Sequence, residues 1–522
     1  MKKKTGTYYT PVELAGFLVK QALKVFSRRK NISVLEPSVG EGALLSEMIK
    51  HTRFNFRGNA FDIDSRSIAK CKEIFAESNI NFKRNDFLKE DLKSDYNLII
   101  SNPPYVKDSL LDKEQISIID ELYRYSDIKK SISRNLWVAF LLKSISLQSK
   151  SGVLATILPS ELIQLSSYRL LVEKINETYD SVCIYTFDDL QFECKGQDTI
   201  VLIASRGMGE TGVTFGNISD VTSGTTSDFG AVEKSHILDS SLKLKHHYLS
   251  EYEVSMISDI SSEMASIGTF LTSKPGVVTA ANDYFILTDE QVKKYRIKAF
   301  CTPIIAKAKY VNGSLTYEEN DFQELVTENN PTYLLKIKKD SIITPGLRRY
   351  LDVGLSKGIQ NGYKCSRRTK WFSIPNINKK PSAFFLRRAY KYPKLIINNS
   401  RAQITDTGYQ IEMKEEFDLR SLIFSFYNSF SLLQVELKGS AYGGGVLELS
   451  PKEFKSIKVP TLLIDNKAFE QANSHFHSKS DIADYLNYSD EIILRNNLGM
   501  SRKDVSLTKK LLNKVRARRF RN

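Results

Sequence analysis

The most chemically informative segment is the tetrad Asn102-Pro103-Pro104-Tyr105, which directly follows an apolar run that ends at Ser101. The two prolines fix the backbone and remove N–H donors, so the loop is rigid and its carbonyl groups can accept hydrogen bonds. The Asn102 side-chain oxygen and the Pro103 carbonyl could both accept from one exocyclic amino group. Such acceptors expose the nitrogen lone pair to an electrophilic methyl group, and the Tyr105 ring offers a face for stacking a base. The tetrad predicts methyl transfer to an amino group.

A second set of polar candidates stands at the ends of predicted strands. The small-residue turn from Glu36 to Gly42 follows one strand and opens a helix, so its backbone can approach a ligand there. Asp62, about 20 residues later, can accept hydrogen bonds from ribose hydroxyls. Asp86 and Phe87 offer an acceptor for an adenine amino group and a ring for its face. Such a turn also needs glycine for structural reasons, and either acid could be a surface turn residue, but three compatible strand ends favour a nucleotide-like cofactor.

These residues need a scaffold that brings strand ends together. From residue 1 to about 205, short apolar runs alternate with amphipathic helical stretches, which is typical of βαβ units. The sequence therefore predicts an α/β fold with a doubly wound, mainly parallel sheet. Predicted strands cover 33–35, 58–61, 96–101, 152–158, 181–187 and 199–204, and predicted helices include 11–26 and 136–147.

Chain length and composition predict a second domain. At 522 residues the chain exceeds what one hydrophobic core usually organises. Residues 207–232 are rich in Gly, Ser and Thr without sustained periodicity, which is typical of a linker. We therefore expect a catalytic domain over 1–210, a linker over 211–232, and an α+β domain with a basic C-terminal tail over 233–522.

The net charge indicates what kind of partner the protein has, and the cysteine content indicates its cellular compartment. A formal net charge of +15 and a pI near 9.2 favour a polyanionic partner, nucleic acid first, although a moderately basic charge also serves solubility. Five cysteines without a C-x-x-C pair suit neither a disulfide framework nor a zinc site. No run approaches the roughly 20 apolar residues of a membrane span. We therefore expect a cytoplasmic protein without a metal or a membrane partner.

Five elements in chain order carry a family resemblance. They are Tyr8-Tyr9-Thr10-Pro11, the turn that begins at Glu36, Asp62, Asp86-Phe87 and the tetrad that begins at Asn102. In this order they resemble the N6-adenine-specific DNA methyltransferases of the gamma arrangement, typically the modification enzymes of Type II restriction-modification systems. The resemblance covers roughly residues 5–205. It implies the class I S-adenosylmethionine-dependent methyltransferase fold followed by an α+β target-recognition domain.

The resemblance also implies an activity and roles for individual residues. It implies transfer of a methyl group from S-adenosylmethionine to N6 of a flipped adenine in double-stranded DNA, with Asn102, Pro103, Pro104 and Tyr105 doing the chemistry. In this family the Thr-Pro element binds the methionine end of the cofactor, which gives Thr10 that role. The implied cofactor-binding residues are Thr10, Glu36, Ser38, Gly40, Asp62, Ile63, Asp86, Phe87 and Asn102. The turn departs from the commonest family pattern, because Pro37-Ser38-Val39 stands where an aromatic-x-glycine often occurs.

Contacts to the DNA substrate are expected in two places. Phe192 and Lys195 are expected to contact the substrate. Phe192 matches by order the family's aromatic residue on the far face of the extruded adenine, although a Phe beside a strand is as often a core residue. In the second domain, Arg367, Arg368 and Lys370 are residue types that contact phosphates or base edges, although such pairs are often solvated surface. The segments 275–287 and 442–448 resemble target-recognition elements. The basic residues 509–521 could lie along the DNA backbone or be a solubilising end.

Three other functions remain open from the sequence. RNA or protein-glutamine amino-methyltransferases use a similar tetrad, but they are usually shorter and lack a large basic C-terminal half. A combined restriction and modification enzyme would need a nuclease centre, and Glu453-Phe454-Lys455 has E-x-K spacing without an identifiable acidic partner. A DNA-binding module with an inactive methylase fold is the third. We expect modification activity and a cognate restriction endonuclease encoded separately.

Overall fold

The computed structural model describes most of the chain as two compact units. The described residues are 9–26, 29–93, 95–106, 110–126, 128, 134–188, 191, 198–208, 211–232, 249–311, 313–338, 341–375, 377, 380–414, 417–442, 445–478 and 482–520. The first unit comprises Met1–Val254 with Phe520–Asn522, and the second comprises Ser255–Arg519. No helix in the described part of the chain is long and apolar enough to cross a membrane.

The first unit is built on a nine-stranded sheet. Its strands are β1 (Asn31–Glu36), β2 (Asn55–Asp62), β3 (Asn79–Arg84), β4 (Tyr96–Ser101), β5 (Gln148–Pro159), β6 (Ser181–Phe187), β7 (Thr199–Ser205), β8 (Gly212–Asp220) and β9 (Thr225–Val232). They lie in the order β3-β2-β1-β4-β5-β7-β6-β8-β9. The first five strands pair in parallel, and β7 lies antiparallel between β5 and β6. The predicted class I methyltransferase fold is confirmed.

Helices cover both faces of this sheet. They are α1 (Val12–Lys24), α2 (Ala43–Ile49), α3 (Ser65–Ile74), α4 (Lys113–Tyr125), α5 (Leu136–Leu147), α6 (Glu161–Gln164) and α7 (Arg169–Thr178). Neighbouring strand residues point to opposite faces, so Val34 joins the core under α1, α2 and α3, whereas Leu35 joins the core under α4, α5 and α7. Strands covered on both sides are almost wholly apolar, as β4 and β7 are. The doubly wound architecture follows from this pattern.

The segment 211–232 is not a linker. It forms β8 and β9, which pair with each other, and β8 also pairs in parallel with β6. Val213, Phe215 and Ile218 are buried, so β8 contributes to the core of the first unit. The Thr residues that resembled a linker composition are β-branched and favour strands, while Gly224 adopts a positive φ of 69° in the connecting turn. The boundary between the two units lies near residue 254 instead.

The second unit is α+β with several small sheets. Its strands are β10 (Ala265–Ser266), β11 (Leu271–Pro275), β12 (Ile286–Leu287), β13 (Cys301–Ile305), β14 (Thr316–Tyr317), β15 (Tyr333–Leu335), β16 (Ala383–Leu386), β17 (Arg388–Ala389), β18 (Lys394–Asn398), β19 (Gln403–Ile404), β20 (Gly408–Met413), β21 (Ser440–Tyr442), β22 (Val446–Glu448) and β23 (Lys458–Val459). The sheet orders are β11-β20-β16-β18-β14, β12-β15-β13-β19, β17-β22-β21 and β10-β23.

Helices fill the rest of this half. They are α8 (Glu251–Ser262), α9 (Ile267–Phe270), α10 (Asn282–Phe285), α11 (Asp289–Tyr295), α12 (Glu319–Thr327), α13 (Pro345–Ser356), α14 (Leu419–Phe426), α15 (Ser429–Lys438), α16 (Pro451–Lys455), α17 (Asn466–Ser478), α18 (Ile482–Asp490) and α19 (Arg502–Arg519), with a π-helical stretch over Glu491–Asn497. The α+β class expected for this half agrees with the alternation of these helices with short strands.

The basic C-terminal segment is a packed helix through Arg519. One face of α19 is buried, including Leu511, Leu512 and Val515. The Arg519 guanidinium donates two hydrogen bonds to the Glu436 carboxylate of α15, at 3.0 and 2.7 Å, and the two side chains are only 3% and 5% exposed. It also donates to the carbonyl groups of Tyr390 and Gly445. Arg519 therefore connects the C-terminal helix to α15 and to two further segments of the second unit.

We expect Arg519→Ala to lower the free energy of unfolding by roughly 3–5 kcal/mol, because it leaves the buried Glu436 charge without its partner. Equilibrium urea denaturation of the full chain measures this change. Arg502→Ala, at the exposed start of the same helix, is the matched control and should change stability by less than about 0.5 kcal/mol. Equal effects of the two substitutions would contradict the structural role of the ion pair.

Candidate cofactor and catalytic site

A cavity of about 330 Å³ opens at the carboxyl ends of the first strands. The sheet order reverses between β1 and β4, and such switch points are where open α/β sheets bind ligands. Predicted residues that line the cavity are Thr10, Glu36, Ser38, Gly40, Asp62, Ile63, Asp86, Phe87, Asn102 and Pro104. The structure thus brings together every predicted cofactor-binding residue. Pro103 and Tyr105 lie next to the lining residues in the chain.

The glycine turn after β1 is tied to the end of β2. Gly40 has a φ of 54° and its backbone N–H donates to Asp62 Oδ2 at 2.8 Å. Gly42 has a φ of 83°, and a Cβ at that position would come within 2.6 Å of the Phe75 ring. A larger residue at Gly42 would clash as well as strain the backbone. The two glycines therefore fix the backbone conformation of this turn. The hydrogen bond from Gly40 then holds Asp62 at the cavity.

Asp62 has the geometry of a ligand for a diol. Its Oδ1 accepts from the backbone N–H of Asp64, and its Oδ2 accepts from that of Gly40, both at 2.8 Å. Each carboxylate oxygen can accept a further hydrogen bond, so two ribose hydroxyls could still be bound. Ile63 follows it and is 60% exposed, which leaves an apolar surface beside this carboxylate. The residues present fit a nucleoside at this edge.

Asp86 and Phe87 take different positions at the cavity. Asp86 Oδ1 accepts from the Leu88 backbone N–H at 3.0 Å and so begins the short 3₁₀ turn Phe87–Lys89. Phe87 is only 1% exposed, and its ring packs against Phe61 and Phe140 at centroid distances of 6.1 and 5.2 Å. Phe87 therefore forms a buried wall of the cavity, whereas the exposed apolar group is Ile63.

Glu36 is a buried acid at the cavity wall. It is 1% exposed, and its Oε2 has no hydrogen-bond partner among the described residues. Burial and the nearby Asp62 charge raise the pKa of Glu36 well above its ordinary value. A buried acceptor without a partner costs free energy, which a cation with N–H donors could recover. This observation fits the methionine end of S-adenosylmethionine, which carries an ammonium group and a sulfonium.

The catalytic tetrad is held by three neighbours of Asn102. Its side-chain Nδ2 donates to Thr10 Oγ1 at 3.1 Å, and Ser38 Oγ donates to its backbone oxygen at 3.0 Å. The Tyr105 hydroxyl lies 3.3 Å from Asn102 Oδ1 and 3.1 Å from the Ile157 carbonyl oxygen. These contacts fix which amide atom is the acceptor, because the nitrogen is already directed at Thr10. The structure thus gives Thr10 a contact to Asn102 that the sequence did not reveal.

The sequence motifs gave no role to several other residues that line the cavity. Among them are Tyr9, Gln115, Leu136 and Phe140. Leu136 and Phe140 lie one turn apart on α5. Their helical spacing can be read from the sequence, but the sequence does not show which face of α5 lines the cavity. Gln115 belongs to a capping box with Asp112 at the start of α4. A capping signal is readable in sequence, but its distance from the cofactor site is not.

The expected DNA-contacting residues fall into three groups. Phe192 and Lys195 lie outside the described residues. Arg367 is exposed and its guanidinium lies 4.0 Å from the centroid of the Tyr363 ring, and Lys370 is also exposed. Arg368 instead donates to the carbonyl groups of Val278, Thr279 and Trp371, at 3.3, 2.8 and 3.3 Å.

The Arg368 contacts join two segments that are distant in the chain. Val278 and Thr279 belong to the segment 275–287, and Trp371 directly follows the expected DNA contacts Arg367, Arg368 and Lys370. One guanidinium therefore connects two regions that were expected to contact DNA. Glu453 of the E-x-K run has a local role, since its carboxylate accepts from the Ser450 backbone N–H at 2.8 Å. The described residues contain no group of three or more His, Cys, Asp or Glu side chains placed to hold a metal ion.

Two protein families match this chain in succession. The family described as Eco57I restriction-modification methylase matches residues 26–192, which include the tetrad and the cofactor residues from Glu36 onward. The family described as the C-terminal domain of the Type II methyltransferase M.Eco57I matches residues 241–494, in the second half. Both halves of the chain therefore match parts of restriction-modification methyltransferases.

Individual relatives agree with these matches. The chain is 25% identical over 516 residues to the Type II methyltransferase M.AccI of Acinetobacter calcoaceticus, which covers 94% of this chain and 92% of that protein. It is 30% identical over 217 residues to the modification methylase CviBIII of Paramecium bursaria Chlorella virus NC1A, of which it spans 52%. The solved type IIG restriction endonuclease BpuSI aligns with 97% of this chain and 66% of its own, at 13% identity and a TM-score of 0.44. The sequence matches show that both halves of the chain are similar to Type II restriction-modification methyltransferases, and the sheet order and the cavity agree with the class I fold of S-adenosylmethionine-dependent methyltransferases.

Proposed function

We propose that the protein is a site-specific DNA methyltransferase of the gamma arrangement that methylates N6 of an adenine extruded from double-stranded DNA. The observation that carries this proposal is the Asn102 amide, which Thr10, Ser38 and Tyr105 orient beside the cavity. An oriented amide oxygen suits recognition of an exocyclic amino group. A paired adenine cannot bring its N6 into such a pocket, so the base must leave the duplex.

The roles of the tetrad follow from the hydrogen bonds that it can make. Asn102 Oδ1 and the Pro103 carbonyl oxygen accept the two N–H groups of the target amine, which directs the nitrogen lone pair away from them. Pro103 and Pro104 keep this loop rigid, and the Tyr105 ring provides the face on which the base stacks. S-Adenosylmethionine supplies the electrophilic methyl group when bound. After transfer the amine gives up one proton, which leaves its nitrogen neutral.

The cavity residues divide the cofactor between them. Glu36 binds the positive methionine end, Asp62 accepts from the ribose hydroxyls, and Asp86 accepts from the adenine amino group. Ile63 covers an adenine face, and the backbone at Ser38 and Gly40 gives close approach. The support is their common cavity, the unpartnered Glu36 oxygen and the remaining acceptor capacity of Asp62.

Asn102→Ala should abolish methyl transfer, because the target amine loses an acceptor, and Thr10→Val should lower kcat up to about tenfold, because the amide loses its anchor. Tritium transfer to DNA measures turnover, isothermal titration with S-adenosylhomocysteine measures cofactor affinity, and sequencing of host DNA detects N6-methyladenine. Cofactor affinity should stay nearly constant in Asn102→Ala, because this amide acts on the target amine more than on the methionine end of the cofactor. Thr52→Val, on an exposed turn, is the control. Substantial turnover by Asn102→Ala would contradict the mechanism.

Affinity for S-adenosylmethionine should rise with pH until Glu36 is ionised in the unliganded protein, and then level off. Burial and the Asp62 charge raise the pKa of Glu36, so a proton competes with a cationic ligand for this carboxylate, and binding of the cation favours release of the proton. The nearest titratable groups are Asp62 and Cys71, and burial raises the pKa of Cys71 to about 12, so it stays neutral. Titration calorimetry in buffers of different ionisation enthalpy counts the released protons. Glu36→Gln should remove both the proton release and the dependence of affinity on pH. A pH dependence that persisted in this variant would count against Glu36.

The DNA contact is proposed for the basic segment 353–405 of the second unit. This segment contains twelve Lys and Arg residues and no Asp or Glu, which suits a phosphate backbone. Arg367 and Lys370 are exposed, so we assign them the DNA contacts. Arg368 takes a positioning role, because its donors are directed at three carbonyl groups of the protein.

Replacing Arg367 or Lys370 with alanine should flatten the plot of log K against log salt by about 0.9 for each lost phosphate contact. Arg368→Ala should instead loosen both segments, lower thermal stability, and change site preference more than the salt slope. Fluorescence anisotropy with a duplex substrate at several salt concentrations gives the slopes. Lys503→Ala, on an exposed helix start, controls for net charge. If Arg367→Ala and Lys503→Ala gave the same slope of log K against log salt, the basic segment 353–405 would be ordinary solvated surface.

The remaining assignments depend on the proposed activity. A protein of this type would act in the cytoplasm and protect host DNA from a cognate restriction endonuclease encoded separately. The support is the likeness of both halves to Type II modification enzymes, since the second match covers a region that an enzyme acting on RNA or protein-glutamine would not need for duplex recognition. Sequencing the genes beside this one would reveal the endonuclease.

A further inference from the structure

Lys143 is a cation behind the cofactor cavity that the proposed mechanism does not use. It lies on α5 and its ammonium donates to the carbonyl oxygens of Phe87, Leu88 and Glu90, at 2.7, 2.9 and 2.6 Å. An ammonium has three N–H donors, so all of them are satisfied by one short stretch of backbone. The side chain therefore serves the segment that follows Asp86.

Burial and the neighbouring acids act in opposite directions on the pKa of Lys143. Burial lowers the pKa of Lys143, but the charges of Asp86, Glu90 and Asp91 oppose that shift. The ammonium also lies 5.0 Å from the centroid of the Phe87 ring, a position suited to a cation–π contact. A charged donor makes stronger hydrogen bonds to carbonyl groups than a neutral one. The contact is thus strong enough to determine the course of the turn.

Asp86 and Lys143 hold the same turn from its two ends. Asp86 Oδ1 accepts from the Leu88 backbone N–H at 3.0 Å, while the Leu88 carbonyl oxygen accepts from Lys143 at 2.9 Å. The Asp86 backbone N–H is in turn bonded to Asn85 Oδ1 at 2.9 Å. Because Leu88 is bonded to both side chains, displacement of its peptide groups would change the direction of the Asp86 carboxylate. One residue thus connects the buried cation to the cavity acid.

We propose that Lys143 is a positioning residue for the cofactor's adenine, which holds the Asp86 carboxylate toward the adenine amino group. Its effect is selectivity for a purine that carries this amino group over one that lacks it. The inference rests on the adenine-binding role proposed above for Asp86, and the test separates the two. Lys143 itself lies behind the turn and contacts the carbonyl groups rather than the ligand.

The test compares two ligands on the full chain by isothermal titration calorimetry. One is S-adenosylhomocysteine, and the other is its analogue in which hydrogen replaces the adenine amino group. The ratio of their dissociation constants reports the contribution of the amino group alone, whereas general loosening of the fold weakens both ligands equally. In Lys143→Met and Lys143→Gln we expect the ratio to fall about tenfold, as for loss of a hydrogen bond to a carboxylate. Lys143→Arg keeps the positive charge, so this variant should retain most of the wild-type ratio of dissociation constants.

Controls make each outcome decisive. Lys150→Met, at an exposed position, should leave the ratio at the wild-type value. Asp86→Ala should remove the selectivity, and adding Lys143→Met to it should have no further effect on the ratio. If Asp86→Ala left the ratio unchanged, the adenine role of Asp86 would be wrong. If Asp86→Ala removed selectivity but neither Lys143→Met nor Lys143→Gln changed it, Lys143 would be structural only and this proposal would be overturned. Lys143→Gln provides the measurement if Lys143→Met does not fold.

Discussion

The cavity depends on one hydrogen bond, from the Gly40 backbone N–H to the Asp62 carboxylate at 2.8 Å. It joins the turn after β1 to the end of β2, and it forms because Gly40 adopts a positive φ that other residues rarely take. The same contact directs Asp62 toward the cavity and leaves capacity on both oxygens for a ligand. The parallel sheet places Asn102 at the same edge, because β4 lies next to β1. The cofactor and catalytic residues thus share one edge of the sheet, with its geometry set at the glycine turn.

This geometry explains why so much of the site was predictable from sequence. In a parallel sheet, residues that follow successive strands meet at one edge, so motifs read at separate strand ends identify one cavity without knowledge of side-chain positions. The strand before the tetrad, Tyr96–Ser101, was predicted with its observed bounds because its residues are almost all apolar. Thr10 was predicted to line the site, but its hydrogen bond to Asn102 was not, because no pattern in sequence relates two loops that far apart.

The failures also have physical causes. Asp86 was expected at a strand end, but the bounds of strand β3 were not predicted, because it lies at the sheet edge, where only Phe82 is buried and the rest of Asn79–Arg84 is polar or partly exposed. Strands β8 and β9 contain Thr and Gly, which resembled a linker until pairing with β6 supplied the missing hydrogen bonds. The basic helix α19 looked like a solvated end because Arg519 is charged, yet its partner Glu436 lies 83 residues earlier and is invisible to local patterns. Each error concerns a residue whose environment is set by distant parts of the chain.

The two proposed ligands, DNA and the cofactor, meet protein surfaces of opposite charge. The protein as a whole is basic, whereas the cofactor cavity is lined by acids. The net charge is +15, but the cavity wall carries the acids Glu36, Asp62 and Asp86. Burial in this poorly solvated wall, and then repulsion by the Asp62 charge, raise the pKa of Glu36 well above its ordinary value. Under the proposed binding mode the positive cofactor relieves this repulsion. Methyl transfer then removes the sulfonium charge. The same carboxylates therefore attract the product S-adenosylhomocysteine less than they attract S-adenosylmethionine. The acidic wall therefore favours binding of the methyl donor and release of its product.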